Sequence, residues 1–193
     1  MKIILETNRL YLREFVENDF IDLCKILQDK NVMYAYEHSF SEEEVKNWYN
    51  KNIERYNENG FGLWAVIHKE TKEFLGQCGL TIQDLNGEKY LEIGYLFKKK
   101  HWHKGYAVEA ALGCKNYAFE NLNANKIYSI IRENNIPSQN VAKRIGMEKV
   151  NEIIKHYYNM DMLHYIYEIK KSTGDKQYAL WALFAPLVVD LCF

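Results

Sequence analysis

The chain has 193 residues, of which 48% are hydrophobic and 26% are charged, and it contains only two prolines. This composition excludes intrinsic disorder, collagen-like repeats and low-complexity sequence, and the length suits one domain with a sizeable core. The 25 Lys and Arg residues balance 26 Asp and Glu residues, for a net charge of -1, whereas a dedicated nucleic-acid binder would carry a strong basic excess. We therefore expect a globular protein that binds no nucleic acid.

The cysteines and the hydropathy pattern predict where the protein works. Cys24, Cys78, Cys114 and Cys192 lack the spacing of a zinc site or a redox pair, and the histidines show no metal-binding spacing. The chain contains no apolar run of about 18 residues that would span a membrane. Its first residues also lack the apolar stretch of a signal peptide. We expect free thiols, a cytoplasmic location, no metal and no membrane contact.

The first sixty residues predict one strand followed by two helices. Residues 9–15 (RLYLREF) alternate apolar and polar side chains, and this period of two is typical of a strand. A helix capped by Asn18 or Asp19 should follow, because apolar residues then recur at helical spacing. The sequence SEEE at 41–44 has the capping-box pattern of a second helix, which we expect to end at Gly60.

From residue 61 the pattern changes to three strands that form an antiparallel meander. The strands are predicted over 61–68, 74–82 and 90–97. Asn86–Gly87 predicts a hairpin turn between the last two of them. Gly94, inside the third strand, predicts a bulge or the close approach of another backbone.

The remaining sequence predicts a helix, a strand, a short helix and two final strands. These elements are a helix over 105–120, a strand over 126–132, a helix that opens at Pro137 and stops at Gly146, and strands over 147–158 and 163–169. We therefore expect one α/β (α+β) domain over residues 1–171. Its central sheet should be mixed, mostly antiparallel, of about seven strands, and flanked by helices.

Residues 172–193 have no obvious place in that sheet. The segment starts with polar residues (STGDK) and ends in an apolar stretch (ALWALFAPLVV). A docking helix or a dimer contact would explain it, and so would sequence added by a reading-frame accident. Both kinds of explanation remain open.

The most informative segment is residues 92–110, a strand, a short basic loop and a helix that starts on small residues. The N-terminus of a helix carries unpaired N–H groups and the positive end of the helix dipole, so it attracts anions. Gly105 and Ala107 would let a phosphate approach the backbone, and four lysines would add positive charge: Lys98, Lys99, Lys100 and Lys104. The alternative is an ordinary strand-to-helix turn with a solvated basic loop. The segment matches neither nucleotide-binding glycine pattern, so another phosphate ligand is expected.

Five stretches of sequence together resemble the GNAT superfamily of acetyltransferases, in the branch of the ribosomal-protein N-terminal acetyltransferases. They are RLYLREF, FLGQCGL, EIGYLF, WHKGYAVEA and NNIPSQNVAKRIGM, and the resemblance covers roughly residues 6 to 170. The family's acetyl-CoA loop, Q/R-x-x-G-x-G/A, corresponds to residues 102–107. Trp102 stands there for Gln or Arg, and His103 stands for a common Gly.

The resemblance implies a GNAT-like acyl-CoA N-acyltransferase fold whose sheet is splayed at an acetyl-CoA cleft. Acetyl-CoA would be the donor, and the amine would attack its thioester directly. The residues implied in binding acetyl-CoA are Tyr95, Leu96, Phe97, Trp102, His103, Lys104, Gly105, Tyr106, Ala107, Val108, Asn135 and Ser138. Among these, a backbone N–H near Tyr95 or Leu96 would polarise the thioester carbonyl, as an oxyanion site does.

The resemblance also implies catalytic and acceptor residues. Glu92 would be the general base, directly or through a water, and Ser138 would give a proton to the leaving thiolate. Each has a plainer interpretation: a solvent-facing strand carboxylate for Glu92 and a helix cap for Ser138. The implied acceptor wall is aromatic and acidic, and its residues are Tyr34, Tyr36, Glu37, His38 and Tyr157, with Tyr158 beside them.

The acceptor remains open between a protein N-terminal α-amine and a small-molecule amine. A protein acceptor would need an open groove, and a small one a closed, acidic pocket. A non-catalytic acyl-CoA-binding module or an interaction domain on the same fold are the alternatives from other functional classes. The chain would act as a monomer or a homodimer.

Overall fold

A computed structural model describes residues 2–85 and 87–172 of the chain. The apolar tail therefore lies outside the described residues from residue 173 onward, and so does Asn86 of the predicted hairpin turn. Within the described ranges, no helix combines the length and apolar character needed to cross a membrane.

Residues 2–85 and 87–172 form eight strands and four α-helices, with three short 3₁₀ turns. The strands are β1 (Ile3–Glu6), β2 (Leu10–Arg13), β3 (Leu63–His68), β4 (Phe74–Leu85), β5 (Glu88–Phe97), β6 (Lys126–Arg132), β7 (Glu148–Tyr157) and β8 (Met160–Lys170). The helices are α1 (Phe20–Leu27), α2 (Glu42–Asn59), α3 (Tyr106–Glu120) and α4 (Ile136–Arg144). The 3₁₀ turns span Glu17–Asp19, Met33–Tyr36 and Lys99–His101.

All eight strands join one sheet in the order β1-β2-β3-β4-β5-β6-β8-β7. Every neighbouring pair is antiparallel except β5 and β6, which are parallel. The mixed, mostly antiparallel sheet is thereby confirmed, but the strand count of about seven was one too low. The missed strand is β1, four residues at the sheet edge with an irregular register and no alternation of apolar and polar side chains.

Helices cover both faces of the sheet. Successive strand residues point to opposite sides, so one strand contributes side chains to both buried clusters. On one face, Ala65 and Ile67 of β3 pack in a buried cluster with α1 and α2. On the other, Trp64 and Val66 of the same strand pack in a cluster with α3 and α4. The sheet therefore has an α1/α2 face and an α3/α4 face.

Two helix starts test the predicted caps. At α2 the capping box is confirmed: the Ser41 hydroxyl accepts a hydrogen bond from the Glu44 N–H, and the Glu44 carboxylate accepts one from the Ser41 N–H. At α1 the predicted side-chain cap is wrong. The Asp19 carboxylate instead binds the guanidinium of Arg13, at 2.5 and 2.8 Å, and the N–H of Val16. A buried cation therefore takes the oxygens that would otherwise cap the helix.

The bulge predicted at Gly94 is also absent. The register of β5 against β4 runs without a shift from Glu88 to Phe97, and Gly94 pairs directly with Gly79. A Cβ added at Gly94 would meet one Leu63 side-chain atom at 3.4 Å, an ordinary contact, so no backbone crowds it. The sheet opens beside β5 for a different reason, described below.

The buried thiols lie between β4 and α3. Cys78 and Cys114 are fully buried, and their Sγ atoms are 3.5 Å apart. Cys24, Cys78 and Cys114 are free thiols, as predicted, and Cys192 lies outside the described residues.

Candidate active site

The sheet splits between its two parallel strands. Among the described residues, β5 and β6 are in register at a single pair, Glu92 with Tyr128, and the Ser129 hydroxyl donates to the Ile93 carbonyl beside it. Beyond that point β5 continues to Phe97 without further pairing to β6. The opening leads into a cavity of about 400 Å³. Divergence of two strands, and not a bulge, therefore makes the splayed cleft.

The Glu92 carboxylate lies at the point where the strands part. Its Oε1 accepts a hydrogen bond from the Ile130 N–H at 3.1 Å, and its Oε2 accepts one from the Thr81 hydroxyl at 3.4 Å. Burial raises the pKa of Glu92 above its ordinary value, although the Ile130 N–H and the charge of Lys155 lower it in part. A carboxylate in such a place accepts a proton more readily than one in water does.

The first turn of α4 brings four of the predicted residues together. The Asn135 side-chain oxygen caps this helix by accepting from the Ser138 N–H at 3.2 Å, and it also accepts from the Tyr34 hydroxyl at 2.9 Å. The Ser138 carbonyl accepts from the Tyr95 hydroxyl at 2.8 Å. Ser138 therefore is not the helix cap, and its side chain belongs to the cavity wall together with Asn135 and Tyr95.

The loop between β5 and α3 presents backbone to solvent. His103 and Gly105 have positive φ angles of 61° and 80°. His103 is therefore a non-glycine residue in the left-handed conformation. No side chain caps α3, and the N–H groups of its first turn, at residues 106–108, have no partner within the helix. Trp102 anchors the loop, since its indole N–H donates to the Phe97 carbonyl at 2.9 Å.

Three of the four loop lysines are bound elsewhere. Lys98 pairs with Asp22 at 2.8 Å, Lys99 donates to Asn31, and Lys100 pairs with Glu73. Lys99 and Lys104 form no ion pair with a described residue, and of the four only Lys104 has no side-chain partner there at all. The expected positive field of the loop is therefore weaker than its composition indicates.

An arginine that the sequence analysis did not single out holds the loop in place. Arg9 donates to the carbonyl of Lys104 at 3.1 Å, and its guanidinium lies 4.5 Å from the centre of the Tyr106 ring. Glu109 fixes Arg9 by accepting from its backbone N–H and from its Nε, both at 2.7 Å. The two residues are 100 positions apart, so no local sequence signal connects them.

The cavity wall is aromatic, as expected, but it is not acidic. The aromatic residues that line it are Tyr36, Phe40, Trp48, Tyr95, Tyr157 and Tyr158, and the charged ones are Glu92, Lys51, Arg55, Arg132 and Lys155. Of the predicted acidic and basic wall residues, Glu37 pairs with Arg132 at 2.7 Å, and His38 binds Glu44 at 2.9 Å and stacks on Tyr158. Neither Glu37 nor His38 lines the cavity.

Two further predicted residues, Leu96 and Phe97 of β5, lie in different surroundings. Leu96 lines the cavity, whereas the side chain of Phe97 is buried in the core against α3. Several polar residues of the wall were missed. Among them are Lys51, Arg55, Gln77 and Lys155, which come from three separate elements without a shared motif. Among the described residues, no group of three or more His, Cys, Asp or Glu side chains is placed to hold a metal ion.

Comparisons with known proteins agree with this geometry. The family model of the acetyltransferase (GNAT) domain matches residues 9–148. The uncharacterized Bacillus subtilis protein YkkB is 38% identical over 157 residues, covering 80% of this chain and 90% of that protein. The uncharacterized N-acetyltransferase YnaD of the same species is 34% identical over 146 residues, covering 75% and 82%. A GNAT-family acetyltransferase from Bacillus anthracis matches with a TM-score of 0.74 at 29% identity, covering 88% of this chain and 98% of that one.

Two further solved structures contain coenzyme A and share the fold. The ribosomal L7/L12 alpha-N-protein acetyltransferase RimL matches with a TM-score of 0.71 at 17% identity, covering 88% of this chain and 98% of that one. The spermidine N-acetyltransferase of Vibrio cholerae, in complex with CoA and spermine, matches with a TM-score of 0.67 at 19% identity, covering 84% and 95%. With its matched domain, its relatives and its split sheet, the chain belongs to the family of GNAT acetyltransferases.

Proposed function

We propose that this protein transfers an acetyl group from acetyl-CoA to a primary amine by direct attack. The observation that carries this proposal is the split between β5 and β6, with Glu92 at the point where the strands part. A thioester placed in the split would lie beside a carboxylate that readily takes a proton. The structural relatives that hold CoA act on a protein N-terminus or on spermidine, so both kinds of acceptor fit the fold.

The α3/α4 side of the split suits acetyl-CoA. The uncapped start of α3 offers the N–H groups of residues 106–108 to the pyrophosphate, and the exposed backbone of 103–105 continues this surface. Asn135 would bind the pantetheine arm through its amide group, whose oxygen already bonds Tyr34 and Ser138. Because three nearby lysines are bound elsewhere, the backbone would supply most of the phosphate contacts.

The reaction needs one proton acceptor and one proton donor. The amine lone pair attacks the thioester carbonyl carbon, the C–N bond forms, and the C–S bond breaks with its electron pair going to sulfur. Glu92 takes the proton that the amine loses, directly or through a water. Ser138, which lines the cavity, gives a proton to the departing thiolate and regains one from solvent, and Glu92 releases to solvent the proton that it took.

The acceptor amine would enter from the α1/α2 side. Tyr36, Tyr157 and Tyr158 form an aromatic part of the cavity wall there. Tyr34 does not line the cavity, and it would act indirectly, through the hydrogen bond that its hydroxyl donates to Asn135. Burial raises the pKa of Tyr36, so its hydroxyl stays protonated and available as a hydrogen-bond donor at neutral pH.

The first experiment is a calorimetric titration with acetyl-CoA, with ATP and CoA lacking its 3′-phosphate as comparisons, followed by thiol-release assays with amines and peptides. We expect saturable binding of acetyl-CoA that is far tighter than binding of ATP. In Glu92→Gln we expect a large loss of kcat with nearly unchanged acetyl-CoA affinity, and in the unmodified enzyme an acid limb of kcat/KM above the ordinary pKa of Glu.

Other outcomes would redirect the proposal. Absence of acetyl-CoA binding in folded protein would reject the transferase. Tight acetyl-CoA binding without thiol release for any amine would instead indicate an acyl-CoA-binding module. A pH profile that Glu92→Gln leaves unchanged would remove Glu92 from the mechanism.

A further inference from the structure

The charge of the cavity wall opposes a polycationic acceptor. Four cationic residues line the cavity, Lys51, Arg55, Arg132 and Lys155, whereas Glu92 is the only carboxylate among its described lining residues. A polyamine brings several positive charges, and like charges in a partly buried site repel strongly. The wall therefore suits an acceptor whose amine is accompanied by negative charge.

One face of α2 supplies two of these cations without a counter-ion. Trp48, Lys51 and Arg55 are spaced by three and four residues, so they share the helix face that borders the cavity. Neither Lys51 nor Arg55 forms an ion pair with a described residue, in contrast to Arg132, which pairs with Glu37. Arg55 has one long hydrogen bond, 3.4 Å to the Asn52 side-chain oxygen. Burial lowers the pKa of the Arg55 guanidinium, although the charge of Glu92 raises it in part.

A buried amide beneath this face has an unused donor. Gln77 lines the cavity and is 0% exposed. Its Oε1 accepts from the Trp48 indole N–H at 3.0 Å, and because that N–H can only donate, the orientation of the amide is fixed. The Nε2 atom is left with no acceptor among the described residues. A ligand oxygen would give this buried donor the partner that it lacks, and an unpaired buried donor destabilises the folded state.

These donors lie on the same face of the sheet as Glu92. In the β4–β5 register Gln77 is opposite Leu96 and Thr81 is opposite Glu92, so all four side chains point to the α1/α2 side. Four residues along β4 separate the two pairs, a distance of about 13 Å. An extended molecule of two or three residue lengths would reach from the amine position at Glu92 to the donors at Gln77 and α2.

We infer that the acceptor is an amine that also carries a carboxylate or another anionic group, which Lys51, Arg55 and the Gln77 amide hold while the amine lies near Glu92. This inference rests on the proposed acetyl transfer and names the class of its acceptor. It favours acidic peptide N-termini and similar small molecules over polyamines.

The test uses short C-terminally amidated peptides with a free α-amine, in pairs that differ only by glutamate against glutamine at the second or third position. Spermidine is included as the polycation. Acetylation is followed by thiol release at saturating acetyl-CoA. We expect kcat/KM for the glutamate member to exceed that for the glutamine member by about ten- to hundredfold, as a hydrogen bond to a charged group would give. Spermidine should be a poor acceptor.

Two variants and one control locate the effect. In the double variant Lys51→Gln/Arg55→Gln, the ratio of kcat/KM for the glutamate peptide to kcat/KM for the glutamine peptide should fall to about one. Lys46→Gln removes an exposed lysine from the same helix that does not line this cavity, and the preference should survive there. Acetyl-CoA affinity is measured for all variants and should not change.

The outcomes separate this inference from the proposed function. Equal use of both peptides, a preference for glutamine or spermidine, or a glutamate preference that survives in the double variant would overturn the inference while leaving acetyl transfer intact. If no peptide is acetylated, the same pairs are titrated into the protein by calorimetry. Equal affinity for both members, or absence of binding, then also overturns it. Failure to bind acetyl-CoA instead rejects the proposed function.

Discussion

The Glu92 carboxylate is buried at the split in the sheet, where a charged group needs hydrogen-bond donors to compensate for the loss of water. Its two oxygens accept from the Ile130 N–H and the Thr81 hydroxyl, yet burial still raises its pKa. The Ile130 N–H would pair with a neighbouring strand if the sheet stayed closed. Because the strands part, the side chain of Glu92 takes the place of a strand partner, and the split and the carboxylate depend on each other.

This burial predicts a gain in stability when the charge is removed. A group whose pKa is raised in the folded state stabilises that state fully at low pH and loses this contribution as the pH rises through the raised pKa. Glu92→Gln should therefore raise the Tm at pH 7 and leave it unchanged at pH values below the ordinary pKa of Glu. Thermal unfolding at both pH values measures the effect. Glu88→Gln, an exposed carboxylate on the same strand, should leave the Tm nearly unchanged.

A lower Tm for Glu92→Gln at pH 7 would contradict this argument. It would show that the hydrogen bonds from Ile130 and Thr81 outweigh the desolvation of the carboxylate. The folded state would then hold Glu92 as a structural anion, and a base with a raised pKa would need to be sought elsewhere.

At the scale of elements, the start of α3 joins a left-handed glycine to the backbone N–H groups that we propose bind the pyrophosphate. Gly105 has φ of 80° and is followed at once by the first turn of the helix. Gly60 has nearly the same conformation, φ of 75°, at the end of α2, where a Cβ would meet nothing within 4 Å. The two glycines allow backbone strain to be compared at a proposed binding loop and at a site away from it.

Gly105→Ala and Gly60→Ala should each cost about 1–2 kcal/mol of stability, because both place a Cβ on a left-handed residue. Only Gly105→Ala should also weaken acetyl-CoA binding, since it shifts the N–H groups that would hold the pyrophosphate. Calorimetry and denaturant unfolding on the two variants check this. Equal acetyl-CoA affinity in both variants would remove the loop from the proposed site.

The elements were predictable where the signal was local. The capping box at Ser41, the two strands predicted over 61–68 and 74–82, and the helix that ends near Gly146 each depend on residues a few positions apart, and the structure confirms them. The predicted side-chain cap of α1 is wrong because the Asp19 carboxylate binds Arg13, a contact that depends on tertiary packing. The strand β1 was not predicted because its four residues show no alternation of apolar and polar side chains and are held in the sheet by pairing with β2.

At the scale of the whole molecule, the sequence resemblance predicted the family and the splayed sheet, but not the character of the acceptor side. Lys51 and Arg55 come from α2, Gln77 from β4 and Lys155 from β7, and only the folded chain brings them to one cavity. An acidic wall was expected from Glu37, whose carboxylate the structure commits to Arg132. Charge at a site depends on which ion pairs form, and a sequence pattern does not report those pairs.

The two faces of the sheet would give the two proposed substrates separate approaches. The uncapped start of α3 belongs to the α3/α4 face, whereas Gln77, Glu92 and the cationic side of α2 belong to the other. The split between β5 and β6 connects the two faces of the sheet. A donor and an acceptor that enter from opposite sides can meet there without competing for the same surface.

The described part of the chain should fold without residues 173–193. The eight strands and the two buried clusters described above lie within residues 2–172. Near the end of this range, the Lys171 N–H donates to the Asn125 carbonyl and its ammonium donates to the Phe119 carbonyl. A chain that ends after Ser172 should keep the Tm of the full chain and the acetyl-CoA affinity that we propose for it. A chain that ends after Glu168 should have a clearly lower Tm, because it loses the pairing of the last two β8 residues with β6 as well as the Lys171 contacts. Unfolding or loss of acetyl-CoA affinity after the first truncation would instead make the tail part of the domain.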